Sequence, residues 1–119
     1  MYTYNCEITR VVDGDTCDIT LDLGFNIMHK ARVRLHGINT PECRTRDKEE
    51  KYRGLQAKAR FMDLVKDRPT RVISHDKGKY GRVLGEILIE SKKVKDNWLN
   101  VNQQLVKEGH AVEYFGGKR

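Results

Sequence analysis

The stretch Arg32-Val33-Arg34-Leu35-His36-Gly37-Ile38-Asn39-Thr40-Pro41-Glu42 organises the rest of the chain. It opens as a strand. Val33 and Leu35 fall on one side, and Arg32, Arg34 and His36 on the other, which is the period-2 alternation of a half-buried strand. Gly37 permits a bend, and Pro41, which has no N–H to give, ends the ladder after Thr40. The strand therefore presents a guanidinium, Arg34. The turn after it presents an amide, a hydroxyl and a carboxylate, from Asn39, Thr40 and Glu42. An arginine and a carboxylate fixed on neighbouring rigid backbone are what phosphoryl transfer uses. Taken alone, the stretch reads equally as a surface strand ending in a polar turn, so the segments around it decide.

On the N-terminal side, residues 6–12 read as a first strand. Asp13-Gly14-Asp15-Thr16 reads as a tight turn, because Asp-Gly is a hairpin signal. Residues 17–23 alternate cleanly, with Cys17, Ile19, Leu21 and Leu23 on one face. A turn over 24–30 leads to the third strand, 31–38. On the C-terminal side, residues 43–50 are mostly charged and read as a mobile loop. A helix follows, its apolar stripe formed by Tyr52, Leu55, Ala59, Met62 and Val65 at 3- and 4-residue steps. It should stop before Arg68-Pro69. Residues 70–75 form a fourth strand and 80–90 a fifth, where Gly81 and Gly85 mark bends or a bulge. After a polar connector, a short helix runs from about 101 to 108, with Asn100 as N-cap and Gly109 at C′. No repeat or internal boundary is visible, so residues 1–119 read as one domain. The expected class is α+β, mainly β. It is a five-stranded OB-fold barrel with a helix between strands 3 and 4 and a short C-terminal helix. Fold alone does not give function.

Composition narrows the function classes. Lys and Arg outnumber Asp and Glu by 23 to 17, an excess that favours a polyanionic partner. No apolar run approaches the ~20 residues of a membrane span. The start of the chain lacks the basic and apolar regions of a secretory signal, which leads us to expect an intracellular, cytoplasmic protein. A phage or mobile element is one origin that needs no export. The three cysteines, Cys6, Cys17 and Cys43, form no Cys-x-x-Cys pair, so reduced thiols are expected. Cys6 and Cys17 read as core residues and Cys43 as exposed. His29, His36, His75 and His110 show no metal or triad spacing and read as incidental.

Two further segments can carry chemistry. Asp13-Gly14-Asp15 places two carboxylates two residues apart. It is either an ordinary turn or part of a hard-cation site, and it lacks the further ligands of an EF-hand loop. If this turn meets Asn39-Thr40 at one end of the barrel, then Asp15, the Asn39 side chain and the Thr40 carbonyl supply oxygens for such an ion. Lys77-Gly78-Lys79-Tyr80-Gly81-Arg82 is either a solvated hairpin tip or a substrate contact. In the second case Lys79 meets a phosphate, Tyr80 stacks on a base and Arg82 enters the site.

In combination these segments resemble the staphylococcal-nuclease-like (thermonuclease) family. The resemblance rests on Val11-Val12-Asp13-Gly14-Asp15-Thr16, then Arg34-Leu35-His36-Gly37-Ile38-Asn39-Thr40-Pro41-Glu42, then Lys79-Tyr80-Gly81-Arg82, in that order and with a helix between the second and third. Leu105-Val106-Lys107-Glu108-Gly109-His110-Ala111 extends it, so that it covers nearly the whole chain, which stops short of the family's longer C-terminal helix. The resemblance implies a Ca²⁺-dependent phosphodiesterase that cuts DNA and RNA to leave 3′-phosphate ends. By position, Arg34 and Arg82 match its catalytic arginines and Glu42 its catalytic carboxylate. Asp15 and the Thr40 carbonyl match metal ligands, with Asp13 nearby in the metal pocket. Lys79 and Tyr80 match nucleotide contacts, as Tyr114 does more loosely. Where the family has a second metal-ligand aspartate, this chain has Asn39. The lost charge implies weaker metal binding and a shift towards Mg²⁺ or Mn²⁺. The expected partner is nucleic acid, with no membrane, and the expected state is a monomer. The rival reading is a non-catalytic OB-fold nucleic-acid-binding module.

Overall fold

Strand β1 (Tyr2–Asp13) is long enough to serve two neighbours. In the computed structural model, which describes residues 2–77 and 82–115, its second half pairs with β2 (Thr16–Asp22) and its first half with β5 (Thr70–Lys77). Register shifts between Ile8 and Arg10 and between Val11 and Asp13 mark bulges, which let the strand bend from one partner to the other. β3 (Met28–Leu35) follows β2 through a short turn and begins three residues earlier than expected. The turn is tight because Gly24, Phe25 and Asn26 all have positive φ (81°, 54° and 60°) and the Leu23 amide donates to the Ile27 carbonyl at 2.9 Å.

β6 (Val83–Glu90) closes the barrel. It runs antiparallel to β5 and parallel to the end of β3, with Val33 opposite Val83 and Leu35 opposite Gly85. The result is a closed five-stranded barrel in the order β1-β2-β3-β6-β5, as the sequence predicts. Gly85 sits at the crowded corner, where a Cβ would lie 3.0 Å from the Ile73 carbonyl oxygen. Two short strands, β4 (Ile38–Asn39) and β8 (Val112–Glu113), pair outside the barrel, and β7 (Trp98–Asn100) pairs antiparallel with the end of β6. The core is built from Cys17, Ile19, Val33, Leu35, Val72, Ile87 and Ile89 of the strands, with Phe61, Val101 and Leu105 from two helices.

Helix α1 (Lys48–Val65) starts where the Asp47 carboxylate accepts the Glu49 and Glu50 amides, so part of the expected loop is helical. Its buried face corrects the sequence reading. Gly54, Ala57, Phe61 and Leu64 face inward, while Tyr52, Leu55 and Met62 are exposed. The cause is close approach. A Cβ at Gly54 would lie 2.5 Å from the Glu42 carbonyl oxygen, so the smallest residues must line the contact and the larger apolar ones turn outward. Helix α2 (Val101–Lys107) is capped as expected, by Asn100 accepting the Gln103 amide, and ends at Gly109 (φ 83°). Buried Asn102 then ties α2 to the barrel. Its amide donates to the carbonyls of His36 (2.9 Å) and Gly85 (3.1 Å), and its oxygen accepts the Ile87 amide at 3.2 Å.

Candidate active site

The turn joining β1 to β2 and the turn after β3 meet at one end of the barrel, under α1. Gly14 makes this possible, since a Cβ there would lie 2.7 Å from the Ala57 Cβ and 3.0 Å from the Thr40 hydroxyl. Beside it Asp15 is buried. One of its oxygens accepts the Thr40 amide at 3.0 Å and the other accepts the Thr16 hydroxyl at 3.1 Å. The Leu35 amide donates to the Asp15 carbonyl at 2.8 Å, which locks the turn to β3. Arg34 lies against the same carboxylate. Its Nη2 is 3.4 Å from Asp15 Oδ2 and donates to Asn39 Oδ1 at 3.3 Å, while Nη1 donates to the Leu35 carbonyl at 3.0 Å. Asp15, Arg34, Asn39 and Thr40 are therefore one hydrogen-bonded cluster.

Glu42 and Arg82 belong to an adjoining pocket of about 360 Å³, lined also by Asp13, Thr16 and Cys43 and by three further arginines, Arg10, Arg32 and Arg44. Arg34 is turned to Asp15 and Asn39 and does not line this pocket. Asn39 and Thr40 border a different cleft, beneath α1 and beside His110. The two groups are joined through the short backbone segments 13–15 and 39–42. Glu42 is held from both sides. Gly54 packs on its carbonyl, and Cys43 beside it is buried.

Cys43 corrects the expectation of an exposed thiol. Burial, and then its hydrogen bond to Asp13, push its pKa up, so it acts as a small packing residue that pins the Glu42 turn to β1. Cys17 is fully buried as expected, and Cys6 packs against the core. Lys79 and Tyr80 lie outside the described residues. The Tyr114 amide donates to the Gly37 carbonyl at 2.8 Å.

The chemistry of the donors bears on a metal. Among the described residues, no three His, Cys, Asp or Glu side chains are gathered to hold an ion. The atoms that do converge are hard oxygens of mixed origin. Asp15 Oδ2 and Asn39 Oδ1 both meet the cationic Arg34 Nη2, and the buried Thr40 hydroxyl, on the residue whose amide Asp15 accepts, has no hydrogen-bond partner. Such a set fits Ca²⁺, Mg²⁺ or Mn²⁺ in donor type, with low negative charge and with Arg34 competing for the same oxygens.

Two groups escaped the sequence reading. Arg10 and Arg32 flank Asp18 across the ladder, and Arg32 donates to its two oxygens at 2.8 and 3.2 Å. That pairing, with help from Arg10, holds the Asp18 carboxyl below its usual range. Arg32 was visible on the same strand face as Arg34, but nothing local tied Arg10 to it. The histidines also are not all incidental. His36 stacks on His75 at 4.2 Å, and His75 Nε2 meets a Glu86 oxygen at 2.7 Å. Burial alone would raise the Glu86 carboxyl, but hydrogen bonds from His75 and Asn100 outweigh it and hold it low.

A closed five-stranded barrel that gathers arginines, carboxylates and an amide oxygen at one end defines an OB-fold protein of the nuclease-like class. Residues 32–119 match the sequence model of the staphylococcal nuclease homologue family, and the chain belongs to it. It is 32% identical over 120 residues to Endonuclease YhcR of Bacillus subtilis (strain 168), covering 94% of this chain and 9% of that protein. It is 31% identical over 115 residues to Protein ParB of Escherichia coli, covering 94% of this chain and 59% of the relative. Against Micrococcal nuclease of Shigella flexneri it is 29% identical over 110 residues, 91% of this chain and 57% of the relative. The chain thus spans less than two thirds of the length of each of these relatives. No helix among the described residues is long and apolar enough to cross a membrane.

Proposed function

We propose that this chain is a metal-dependent nuclease that hydrolyses phosphodiester bonds of DNA, with RNA as a second substrate, and leaves 3′-phosphate ends. The observation that carries the reading is the bond from the Thr40 amide to Asp15. It draws two sequence-distant turns together around Arg34, one short step along the chain from Glu42. Family membership and relatives named as nucleases support it.

In this mechanism Glu42 accepts a proton from the attacking water or orients it. The water oxygen forms the new bond to phosphorus, the bond to the 5′-oxygen breaks, and that oxygen takes a proton from solvent and leaves as the hydroxyl. Arg82, in the same pocket as Glu42, and Arg34, once released from Asp15 and Asn39, clamp the phosphate and offset the charge that develops on it. Asp15, the Asn39 amide oxygen and the Thr40 carbonyl would hold the metal, Ca²⁺ or alternatively Mg²⁺ or Mn²⁺, with Asp13 nearby. When bound, the metal supplies positive charge against a non-bridging phosphate oxygen. Lys79 and Tyr80 contact the nucleotide, and Tyr114 is a looser candidate for a further nucleotide contact.

The alternative, a non-catalytic nucleic-acid-binding module, is favoured by one observation: Arg34 faces Asp15 and Asn39 and not the pocket of Glu42 and Arg82. Digestion of single- and double-stranded DNA with Ca²⁺, Mg²⁺, Mn²⁺ or EDTA separates the two. Glu42→Gln should lower the rate by about 100-fold or more, and Arg34→Ala by roughly 100- to 1,000-fold, both remaining folded. Full activity in both variants would overturn the assigned roles. Binding without cleavage under every metal would establish the module.

A further inference from the structure

We propose that Arg10 and Arg32 form a second phosphate subsite beside Glu42, which takes the phosphodiester next to the scissile one on the same nucleic-acid strand. The inference rests on the nuclease reading for the identity of the scissile site. It rests on its own geometry for the rest.

Arg32 and Arg34 lie two residues apart on the same face of β3, opposite Asp18 and Thr16 of β2. That separation is about 6.7 Å along a strand, comparable with the step between successive phosphates of an extended polynucleotide. Arg10 comes from the far side of β2, opposite Asp18. One carboxylate therefore stands between two guanidinium groups and neutralises only one of them. The bidentate bond to Asp18 fixes the plane of Arg32 and uses two of its five donors, leaving the rest of the fork for an oxyanion. Both arginines are exposed, and both line the pocket that holds Glu42 and Arg82. With Arg44, that pocket has four arginines against Asp13 and Glu42 in its lining, and with Asp18 counted against Arg32 the cations are still in excess. A dianionic or chain-borne phosphate suits this surplus better than any neutral ligand does. Neither arginine is part of the core, since both sit on the solvent side of the sheet.

The test is binding of a short fluorescein-labelled oligothymidylate in EDTA, followed by anisotropy over a range of salt. Wild type is compared with Arg10→Gln/Arg32→Gln, and with Lys92→Gln/Lys95→Gln on the β6–β7 connector as a charge-matched control. We expect the arginine variant to bind roughly tenfold more weakly, with a salt slope shallower by about 0.7 for each lost contact. The control should stay close to wild type. An arginine variant with wild-type Kd and slope would overturn the proposal, as would a wild type that does not bind the oligonucleotide. A protein that binds but does not cleave under any metal would sink the nuclease reading alone, because the Arg10 and Arg32 comparison is read from Kd without catalysis.

Discussion

Gly54 packs so closely on Glu42 that a Cβ on the helix would lie 2.5 Å from the Glu42 carbonyl oxygen and 2.8 Å from that of Pro41. Backbone, not a flexible side chain, stands in the way. Gly54→Ala should therefore destabilise the protein by roughly 1–3 kcal/mol, although alanine favours a helix by about 1 kcal/mol elsewhere. Urea unfolding checks the sign. A more stable variant would show that the helix can retreat without cost.

Asp15 uses both of its oxygens as acceptors, for the Thr40 amide and the Thr16 hydroxyl. An asparagine offers one acceptor and would turn an NH₂ towards a donor. Asp15→Asn should cost about 1–3 kcal/mol and free Arg34 from its carboxylate partner. Equilibrium unfolding measures the cost, and the chemical shift of the Thr40 amide reports the change in its acceptor. An unchanged Thr40 resonance would contradict the geometry.

Asn39 brings an oxygen to the Arg34 cluster without a charge. Asn39→Asp should tighten divalent-metal binding, on the order of tenfold, through the added ligand charge. Titration calorimetry with Ca²⁺ and Mn²⁺ measures it. Equal affinities in the two proteins would remove Asn39 from the metal set.

Arg60 ties the two helices together through Glu108, with contacts of 2.6 and 2.8 Å. The hydrogen bond from Arg60 holds the Glu108 carboxyl at about 2. A depressed carboxylate stabilises the fold above its unfolded pKa, and that contribution is lost as pH falls through the folded value. The stability gap between wild type and Glu108→Gln should thus be constant at neutral pH. It should shrink below about pH 4 and vanish near pH 2. Urea midpoints across this range test it, and a gap that widens in acid would have the wrong sign.

The strands were legible because their alternation is local. Cys17, Ile19, Val33 and Leu35 declare an inner face within a few residues of one another, and Asn100 declares a cap by its neighbours alone. The helix face was not legible. Gly54 and Ala57 look like weak core formers, and only the nearness of the Glu42 backbone makes small size the requirement. The parallel pairing of Val33 with Val83 has no turn to announce it, because its partners are far apart in sequence. At the site, Asp15, Asn39 and Thr40 could be paired from their turn chemistry. The orientation of Arg34 could not, since three acceptors compete for one guanidinium. Cys43 was misjudged from its charged neighbours, when its own contact is with Asp13 across the turn.

The seam between β3 and β6 has a consequence for folding. Its residues are non-local, so the loop between them must close before the pairing stabilises anything, and closure of this kind is slow. Arg34 stands on one side of the seam and Arg82 just ahead of the other. A nascent chain that has made only the β1-β2-β3 meander and the turn after it holds Asp15, Arg34 and the pocket lining from Arg10 to Arg44, but not Arg82. Joining β6 to β3 is what brings Arg82 to that lining. The slow non-local pairing and the completion of the pocket are therefore one event.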